Sequence, residues 1–307
     1  MKKKIIITGG SGLLGNALKK QIDCITPTRR EIDLEKDSFS TFLQSLDEQE
    51  NKAEVVIHCA AKVGGVGANI NNNFEFFNKN IKIDQNVLNS CLENKIKNLV
   101  TILSTCVFPD KIDYPLTADK IDLGAPHFSN YGYSYAKRLL YYQTKMYRNV
   151  VAENWISIIP TNLYGPNDNF NLDNSHLIPA LIRKAYESSL TGDDFVVWGD
   201  GSPLRQFVYS EDLASIILWS IDNWKLEIPL MAINEKEYSI KEVALIIAKR
   251  FGISENKIVF DNTKPNGQHR KPAKSDVSWF KFTPLEDGIN KTIDWFIENY
   301  NSENIRL

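Results

Sequence analysis

Two side chains with acid–base chemistry stand four residues apart in the segment Tyr133-Ser134-Tyr135-Ala136-Lys137. This spacing places Tyr133 and Lys137 on one face of a helix, whereas Tyr135 and Lys137 point to different faces. A nearby ammonium group and a positively charged nicotinamide lower the pKa of a phenol, which lets Tyr133 exchange a proton with a substrate oxygen near neutral pH. The pattern predicts a reduction in which hydride and proton move together, although a structural helix is equally compatible with Y-x-x-x-K alone.

A glycine-rich loop stands near the start of the chain, directly after a β-branched run. Its sequence is Thr8-Gly9-Gly10-Ser11-Gly12-Leu13-Leu14-Gly15, with glycines at the T-G-x-x-G-x-x-G spacing. Such glycines allow a tight turn, a close backbone approach to a pyrophosphate and close packing of the following helix. The context of strand, loop and helix favours a dinucleotide site over a structural turn.

The segment after the second predicted strand indicates which nicotinamide cofactor is used. Residues 24–26 run into Pro27-Thr28-Arg29-Arg30, and no carboxylate stands at the strand tip. An acidic residue there would accept from a ribose 2′-hydroxyl, whereas cations accommodate a 2′-phosphate. We therefore expect NADP(H), with Arg29 near the phosphate. The alternative is that Arg29 and Arg30 only pair with surface acids such as Glu31.

Three small polar side chains, Ser104-Thr105-Cys106, follow the fourth predicted strand. The carboxyl ends of strands line the ligand crevice of a doubly wound sheet, so these side chains should face the meeting point of Tyr133 and the nicotinamide. A hydroxyl group at that point can hold a substrate oxygen. Cys106 alone would be interpreted as a small buried residue, but its position favours a chemical role.

The elements that position these residues alternate along the first half of the chain. Apolar runs predict strands at 5–8, 24–26, 55–59, 99–103 and 155–160, and helical patterns separate them at 13–21, 38–46, 74–92 and 135–148. This rhythm predicts an α/β protein with a Rossmann-like, doubly wound parallel sheet. We expect a dinucleotide-binding domain over 1–165, to which residues 205–235 return, and a smaller α/β substrate domain over 166–307. The polar segment 263–276 is interpreted as a loop.

Composition excludes several protein classes. The 307 residues carry a net charge of −2, with 43% hydrophobic and 24% charged residues, as in ordinary globular proteins. No basic field favours nucleic acid or an anionic membrane, and no apolar stretch reaches the roughly 18 residues of a membrane span. We also expect no bound metal.

The four cysteines form no C-x-x-C pair and are too sparse for a disulfide-stapled domain. They are Cys24, Cys59, Cys91 and Cys106. The start of the chain lacks the long apolar run of an export signal, because a glycine loop follows Ile7. We expect reduced thiols and a cytoplasmic enzyme.

Together, the strand, glycine, serine and Y-x-x-x-K features resemble the extended short-chain dehydrogenase/reductase superfamily. Longer segments are similar to one family within it, the GDP-L-fucose synthases. They include STCVFPDK from Ser104, PTNLYGPNDNF from Pro160 and VVWGDGSPLRQFVYSEDLA from Val196. Similar segments span nearly the whole chain.

The resemblance implies two stages of reaction in one site: inversion of carbons 3 and 5 of GDP-4-keto-6-deoxy-D-mannose, then reduction of its 4-keto group by NADPH. It implies Cys106 as base and His176 as acid of the epimerisation, Tyr133 and Lys137 as the reduction pair, and Ser104 as holder of the sugar oxygen. The chemistry agrees, because inversion next to a ketone needs one group to remove a proton and another to return it. A helix-capping role is the alternative for His176.

The resemblance also implies binding residues. The sugar nucleotide is expected at Asn162, Lys184, Trp198, Arg205 and Asn266. Many relatives have Asp where this chain has Asn266, which weakens the inference that the base is guanine. The cofactor set is Thr8, Gly9, Gly10, Ser11, Gly12, Leu13, Leu14, Gly15, Arg29, Asp33, Leu34, Ala60, Ala61, Tyr133, Lys137, Pro160, Thr161, Asn162, Leu163 and His176.

Alternatives to this function remain open. A relative acting on another GDP-4-keto sugar, such as a 6-deoxy-heptose, with one or both activities, is the nearest; a non-catalytic NADP-binding regulator is a second. The superfamily commonly dimerises through the helix pair predicted at 74–92 and 135–148, so a homodimer is expected. Tyr141, Tyr142, Met146 and Tyr147 are candidates for that interface, and they are equally compatible with a core.

Overall fold

A parallel five-stranded sheet organises the first half of the chain. The computed structural model describes residues 3–48, 52–151, 154–264, 268–303 and 305–307. The strands in chain order are β1 (Ile5–Thr8), β2 (Val55–His58), β3 (Asn98–Ile102), β4 (Asn154–Pro160), β5 (Asn162–Tyr164), β6 (Phe195–Trp198), β7 (Leu204–Tyr209), β8 (Leu230–Ala232), β9 (Glu237–Ser239) and β10 (Ile258–Asp261).

Helices separate these strands. They are α1 (Leu13–Lys19), α2 (Phe39–Glu48), α3 (Val66–Asn71), α4 (Asn73–Glu93), α5 (Tyr131–Val151), α6 (Leu177–Thr191), α7 (Ser210–Asn223), α8 (Ile240–Arg250) and α9 (Leu285–Asn299). Within the described ranges, no helix is both long enough and apolar enough to cross a membrane.

The main sheet has the order β1-β2-β3-β4-β8, and every neighbouring pair is parallel. Its strands are buried on both faces, as a sheet covered by helices on both sides requires. Ile6 and Val56 face a cluster with α2, α4 and α5, while Ile7 and Ile57 face a cluster with α1 and α7. The expected Rossmann-like, doubly wound class is confirmed.

The predicted strand at 24–26 is wrong in its extent. Only Ile25 pairs, through a single parallel bridge to Ile6, with Ile7 N donating to Ile25 O at 2.9 Å and Ile25 N donating to Ile5 O at 2.9 Å. Pro27 follows within two residues, and proline has no backbone N–H to extend a ladder. The segment nevertheless lies beside β1, on the side opposite to β2.

The second half of the chain builds a separate core. Strands β5, β7 and β9 form one small sheet, and β6 pairs with β10 in another. Their buried side chains pack with α6, α8 and α9. The segment after β7 returns to the first half, because α7 packs on α1 and β8 joins β4. The domain limits at residue 165 stay a prediction.

The segment predicted as a loop at 263–276 connects both halves. Residues 263–264 and 268–276 of it are described, and in the second stretch Leu204 N donates to His269 O at 2.8 Å and Leu116 N donates to Pro272 O at 2.9 Å. The side chain of Gln206 accepts from Ala273 N at 2.8 Å. These bonds anchor the segment against β7 and against the loop that precedes α5.

Helix α9 offers a test of the second core with one residue type on one helix. Ile293 is fully buried, whereas Ile297, one turn later, is 42% exposed. Ile293→Ala should lower the free energy of unfolding by about 2–5 kcal/mol, because it removes buried methylenes and leaves a cavity. Ile297→Ala should cost less than about 1 kcal/mol. Urea unfolding of both variants measures the difference, and equal costs would show that α9 is not docked as described.

Candidate active site

The glycine loop occupies the switch point of the sheet, between the strand-like Ile25 on one side of β1 and β2 on the other. Gly9 has φ +73°, and a Cβ there would lie 2.7 Å from Ala60 N. At Gly15 a Cβ would lie 2.4 Å from Gly9 O, so α1 can approach the loop only because this residue has no side chain. Gly10 is similarly crowded by Thr26.

This loop fits a dinucleotide, since a bare backbone can approach a pyrophosphate closely. Gly12 precedes α1 as its N-cap residue and supplies no side-chain capping bond. No Cβ would fit at Gly9, Gly10 or Gly15. The Oγ1 of Thr161, after β4, is buried without a hydrogen-bond partner among the described residues. The predicted Ser11, Leu13 and Leu14 lie in the same loop and first helical turn, and Ala60, Ala61, Pro160, Asn162 and Leu163 lie at the carboxyl ends of β2 and β4.

The predicted 2′-phosphate contacts lie on the surface beside this loop. Arg29 keeps 71% of its side chain exposed and forms ion pairs with Asp33 at 3.3 Å and Glu35 at 2.9 Å. The expected alternative partner, Glu31, instead accepts from the backbone N and the hydroxyl of Thr28. The roles of Arg29, Asp33 and Leu34 at the cofactor stay predictions.

The acid–base pair lies at the start of α5. Tyr133 is half-buried and Lys137 is 3% exposed one turn later. The Nζ of Lys137 lies 3.7 Å from Asp84 Oδ1 on α4. Burial raises the pKa of Tyr133, and the charges of Cys106 and Asp84 raise it further. The lowering expected from Lys137 together with a bound nicotinamide stays a prediction, because in the chain by itself burial and acidic neighbours set the direction.

Ser104 and Cys106 stand together after β3. The backbone N of Cys106 donates to Ser104 Oγ at 3.2 Å, so the serine caps the short 3-10 turn Thr105–Val107. The Ser104 hydroxyl still has its own proton to donate to another oxygen. Cys106, in the turn after β3, lies close enough to Tyr133 on α5 for its charge to act on the phenol.

One cation of the site was absent from the sequence prediction. Lys271 belongs to the connecting segment between the two halves; burial lowers its pKa, while the charges of Cys106 and Asp110 oppose that change. Arg205 acts on it from β7. No spacing pattern signals this residue, since a polar and Pro-rich stretch is typical of solvated loops.

His176 and Asn162 line one pocket, together with β5 and the start of α6. His176 precedes α6 as its N-cap residue but makes no side-chain capping bond, which disfavours a purely capping role. Its ring remains accessible to solvent while the surrounding protein lowers its pKa by desolvation. The neighbouring backbone is held by Gly65 N, which donates to Asn174 O at 3.0 Å.

Two of the expected nucleotide-sugar contacts, Lys184 and Trp198, meet beside the β6–β10 pair. Lys184 Nζ lies 4.7 Å from the ring centre of Trp198, which is 51% exposed, and Lys264 Nζ approaches the same ring at 5.5 Å. Burial lowers the pKa of Lys184 and of Arg205. Asn266 lies outside the described residues. Within those residues, no group of three or more His, Cys, Asp or Glu side chains is placed to hold a metal ion.

These features define a class: a Rossmann-like enzyme of the short-chain dehydrogenase/reductase type, with a Y-x-x-x-K helix beside its glycine loop. A family model described as the NAD dependent epimerase/dehydratase family matches residues 5–229. The chain belongs to this family.

Individual proteins of known name are similar to this chain over nearly its whole length. A GDP-L-fucose synthase from Dictyostelium discoideum is 38% identical over 320 residues, covering 98% of this chain and 97% of that protein. A probable GDP-L-fucose synthase from Drosophila melanogaster is 40% identical over 318 residues, covering 97% and 98%. The crystal structure of a GDP-L-fucose synthetase from Naegleria fowleri bound to NADP has a TM-score of 0.89 and 38% identity, covering 100% of this chain and 95% of that one.

The crowding at Gly15 leads to a binding prediction. Gly15→Ala should weaken NADPH binding at least about tenfold, because the added methyl pushes α1 away from the loop that would cradle the pyrophosphate. Gly67→Ala is the matched control, since a Cβ there meets nothing within 4 Å. Fluorescence titration of NADPH measures both dissociation constants. Unchanged binding in Gly15→Ala would argue against a cofactor at this loop.

Proposed function

We propose that this chain converts GDP-4-keto-6-deoxy-D-mannose to GDP-L-fucose, by epimerisation at carbons 3 and 5 followed by NADPH-dependent reduction at carbon 4. The observation that carries the proposal is that Asp84 lies 3.7 Å from Lys137 and acts, together with Cys106, on the phenol of Tyr133, which places these groups in one charged neighbourhood. Identity of 38–40% over full length to proteins named GDP-L-fucose synthase supports the same reaction.

In the reduction step, Tyr133 donates a proton to the oxygen at carbon 4. NADPH supplies the hydride when it is bound. The raised pKa of Tyr133 keeps the phenol protonated at neutral pH, as a donor requires. Ser104 Oγ already accepts from Cys106 N, so its O–H is directed outward to hold the substrate oxygen. Lys137 adds a positive charge below the phenol and stabilises the tyrosinate that proton donation leaves.

In the epimerisation step, a thiol and an imidazole handle the protons next to the ketone. The carbonyl acidifies these protons because their removal gives an enolate. Cys106 removes the proton, and the side chain of Lys271 lies close enough for the two groups to interact electrostatically. His176 is assigned to return a proton from the other face, and its ring makes no side-chain capping bond that would occupy it. The pocket that His176 shares with Asn162 supports its access to substrate.

The nucleotide part of the substrate is assigned to residues on α6, β6 and β7. Trp198 offers an exposed flat face, and the cations of Lys184 and Lys264 lie over it. Arg205 adds a forked donor for the diphosphate. We retain Asn266 as a base contact in this proposal, together with the lost charge that it implies relative to Asp.

Product analysis tests the proposed function directly. The purified chain is incubated with NADPH and GDP-4-keto-6-deoxy-D-mannose, and the product is identified by NMR. GDP-L-fucose is the expected product. Turnover only with a GDP-4-keto-6-deoxy-heptose, or a product that retains the manno configuration at carbons 3 and 5, would replace the proposal with one of its alternatives.

Two variants separate the half-reactions. Tyr133→Phe should lower NADPH oxidation at least about a hundredfold, since it removes the proton donor, while Tyr135→Phe on the same helix should retain it. Cys106→Ser should slow deuterium incorporation from solvent at carbons 3 and 5, and Cys24→Ser should not. Normal turnover in Tyr133→Phe, or normal exchange in Cys106→Ser, would remove that residue from its assigned role.

We further propose a homodimer formed through α4 and α5. Among the residues considered from sequence, Met146 is 61% exposed, whereas Tyr141 is 6% exposed and packs in the core with Tyr142 and Tyr147 against it. The exposed apolar face instead combines Met146 with other side chains of the two helices: Phe74, Phe77, Tyr131 and Leu139. A paired copy would cover this face and remove it from water.

Sedimentation analysis checks the dimer. The wild-type chain should sediment at twice the monomer mass, and Leu139→Glu should shift it towards monomer because a carboxylate would be buried in the interface. Leu190→Glu, at an exposed position on α6, is the control. A monomeric wild type at micromolar concentration would contradict the proposal.

We also propose that the enzyme acts in the cytoplasm. All four cysteines are free, as expected for a reducing compartment.

A further inference from the structure

Four polar side chains form a buried chain between the glycine loop and the catalytic helix. Thr8, His58 and Asp84 are each 1% exposed, and Lys137 is 3% exposed. Thr8 Oγ1 lies 2.7 Å from His58 Nδ1, His58 Nε2 lies 3.0 Å from Asp84 Oδ1, and that oxygen lies 3.7 Å from Lys137 Nζ. The groups come from β1, β2, α4 and α5.

The chemistry of the partners defines which form of His58 is present. An ionised carboxylate only accepts hydrogen bonds, so His58 Nε2 must carry a proton and donate it to Asp84. Burial lowers the pKa of His58, although Asp84 opposes this change, and the ring is therefore neutral with Nδ1 as an acceptor. Thr8 then donates its hydroxyl proton to Nδ1 and accepts from Ala60 N at 3.3 Å.

This arrangement leaves one negative and one positive charge in the cluster, on Asp84 and Lys137. The neutral ring of His58 donates a hydrogen bond to the carboxylate of Asp84. Among the described residues, no second cation lies within ion-pair distance of that carboxylate. Its other oxygen, Oδ2, is buried without a hydrogen-bond partner among those residues. The carboxylate is thus directed to one cation, the ammonium of the proposed reduction pair.

We propose that Asp84 is a positioning residue: held by His58, it orients the Nζ group of Lys137, which lies one helical turn after Tyr133 on α5. The inference rests on the proposed function for the role of Tyr133 and Lys137, and it adds a residue that touches neither substrate nor cofactor. A buried charge without a partner is costly, so removal of the carboxylate should leave the side chain of Lys137 without the contact that fixes its position.

Charged and titratable groups from β2, from α5 and from the turn after β3 face the cluster. From β2 they are His58, which is neutral, and Cys59, whose pKa burial raises to about 12. From α5 they are Lys137 and Tyr133, with Cys106 acting on the phenol from the turn after β3. Asp84 itself raises the pKa of Tyr133. Its neutralisation therefore makes the phenol of Tyr133 lose its proton more easily.

The first experiment measures kcat for NADPH oxidation against pH. Asp84→Asn keeps the shape but removes the charge, and it should move the alkaline limb of the kcat profile about one pH unit lower, with little change in KM for the sugar. Asp84→Glu should restore the wild-type limb. Asp212→Asn is the control, since Asp212 is also a buried carboxylate but accepts from Thr283, far along the chain from α5. An unmoved limb in Asp84→Asn would overturn the inference. If Asp84→Asn does not fold, Asp84→Ser serves in its place.

A second measurement needs no turnover. Urea unfolding of the cofactor-free chain is compared for Asp84→Asn, Lys137→Met and the double variant. A direct ion pair predicts a coupling of at least tenfold in the unfolding equilibrium constant, which is about 1.4 kcal/mol. No coupling would overturn the inference even if the enzyme were inactive on every GDP-keto sugar. Inactivity of the wild type with coupling present would instead refute the proposed function and leave the Asp84–Lys137 pairing supported.

Discussion

The site depends on one constraint: the strands of the main sheet run parallel, so their carboxyl ends meet at one edge. The glycine loop follows β1, Ala60 follows β2, Ser104 follows β3 and Thr161 follows β4. A strand of four residues spans about 13 Å, so a reversal of any one strand would carry its residues to the opposite edge. Because helices cover both faces, this edge is one of the few places where the sheet can offer polar groups to a ligand.

Burial sets the chemistry at this edge as much as charge does. It raises the pKa of Tyr133 and favours the protonated phenol, which suits a donor but not a base. Lys137 is buried one turn later on the same helix, and Asp84 lies 3.7 Å from its Nζ. Opposite charges that are desolvated together attract more strongly than charges in water, but the loss of either one leaves the other uncompensated. The pair therefore ties the electrostatics of α5 to a residue on α4.

The proposed substrate contacts and the cation of Lys271 come from segments that are remote in sequence. Arg205 lies on β7, Trp198 ends β6, and Lys271 arrives on the connection that hydrogen-bonds to Leu204 and Leu116. This connection explains how a cation from the last part of the chain acts on Cys106 after β3. The return of α7 and β8 to the main sheet couples the two cores further, so the halves do not follow chain order.

Local patterns in the sequence were enough to predict several strands, the glycine loop and the helical face of the acid–base pair. Apolar runs placed the strands at 5–8 and 155–160, glycine spacing placed the loop, and four-residue spacing placed Tyr133 and Lys137 on one helical face. The amphipathic helix α9 was not predicted, although its sequence carries the signal: Leu285, Ile289 and Ile293 recur at helical intervals. Tertiary structure alone decided the rest: that residue 25 pairs through a single bridge, that Tyr141 is core, that Lys271 reaches Cys106 and that Asp84 faces Lys137. The physical reason is that hydrophobic periodicity reports each element's own geometry, whereas desolvation and charge pairing depend on which remote elements pack against it.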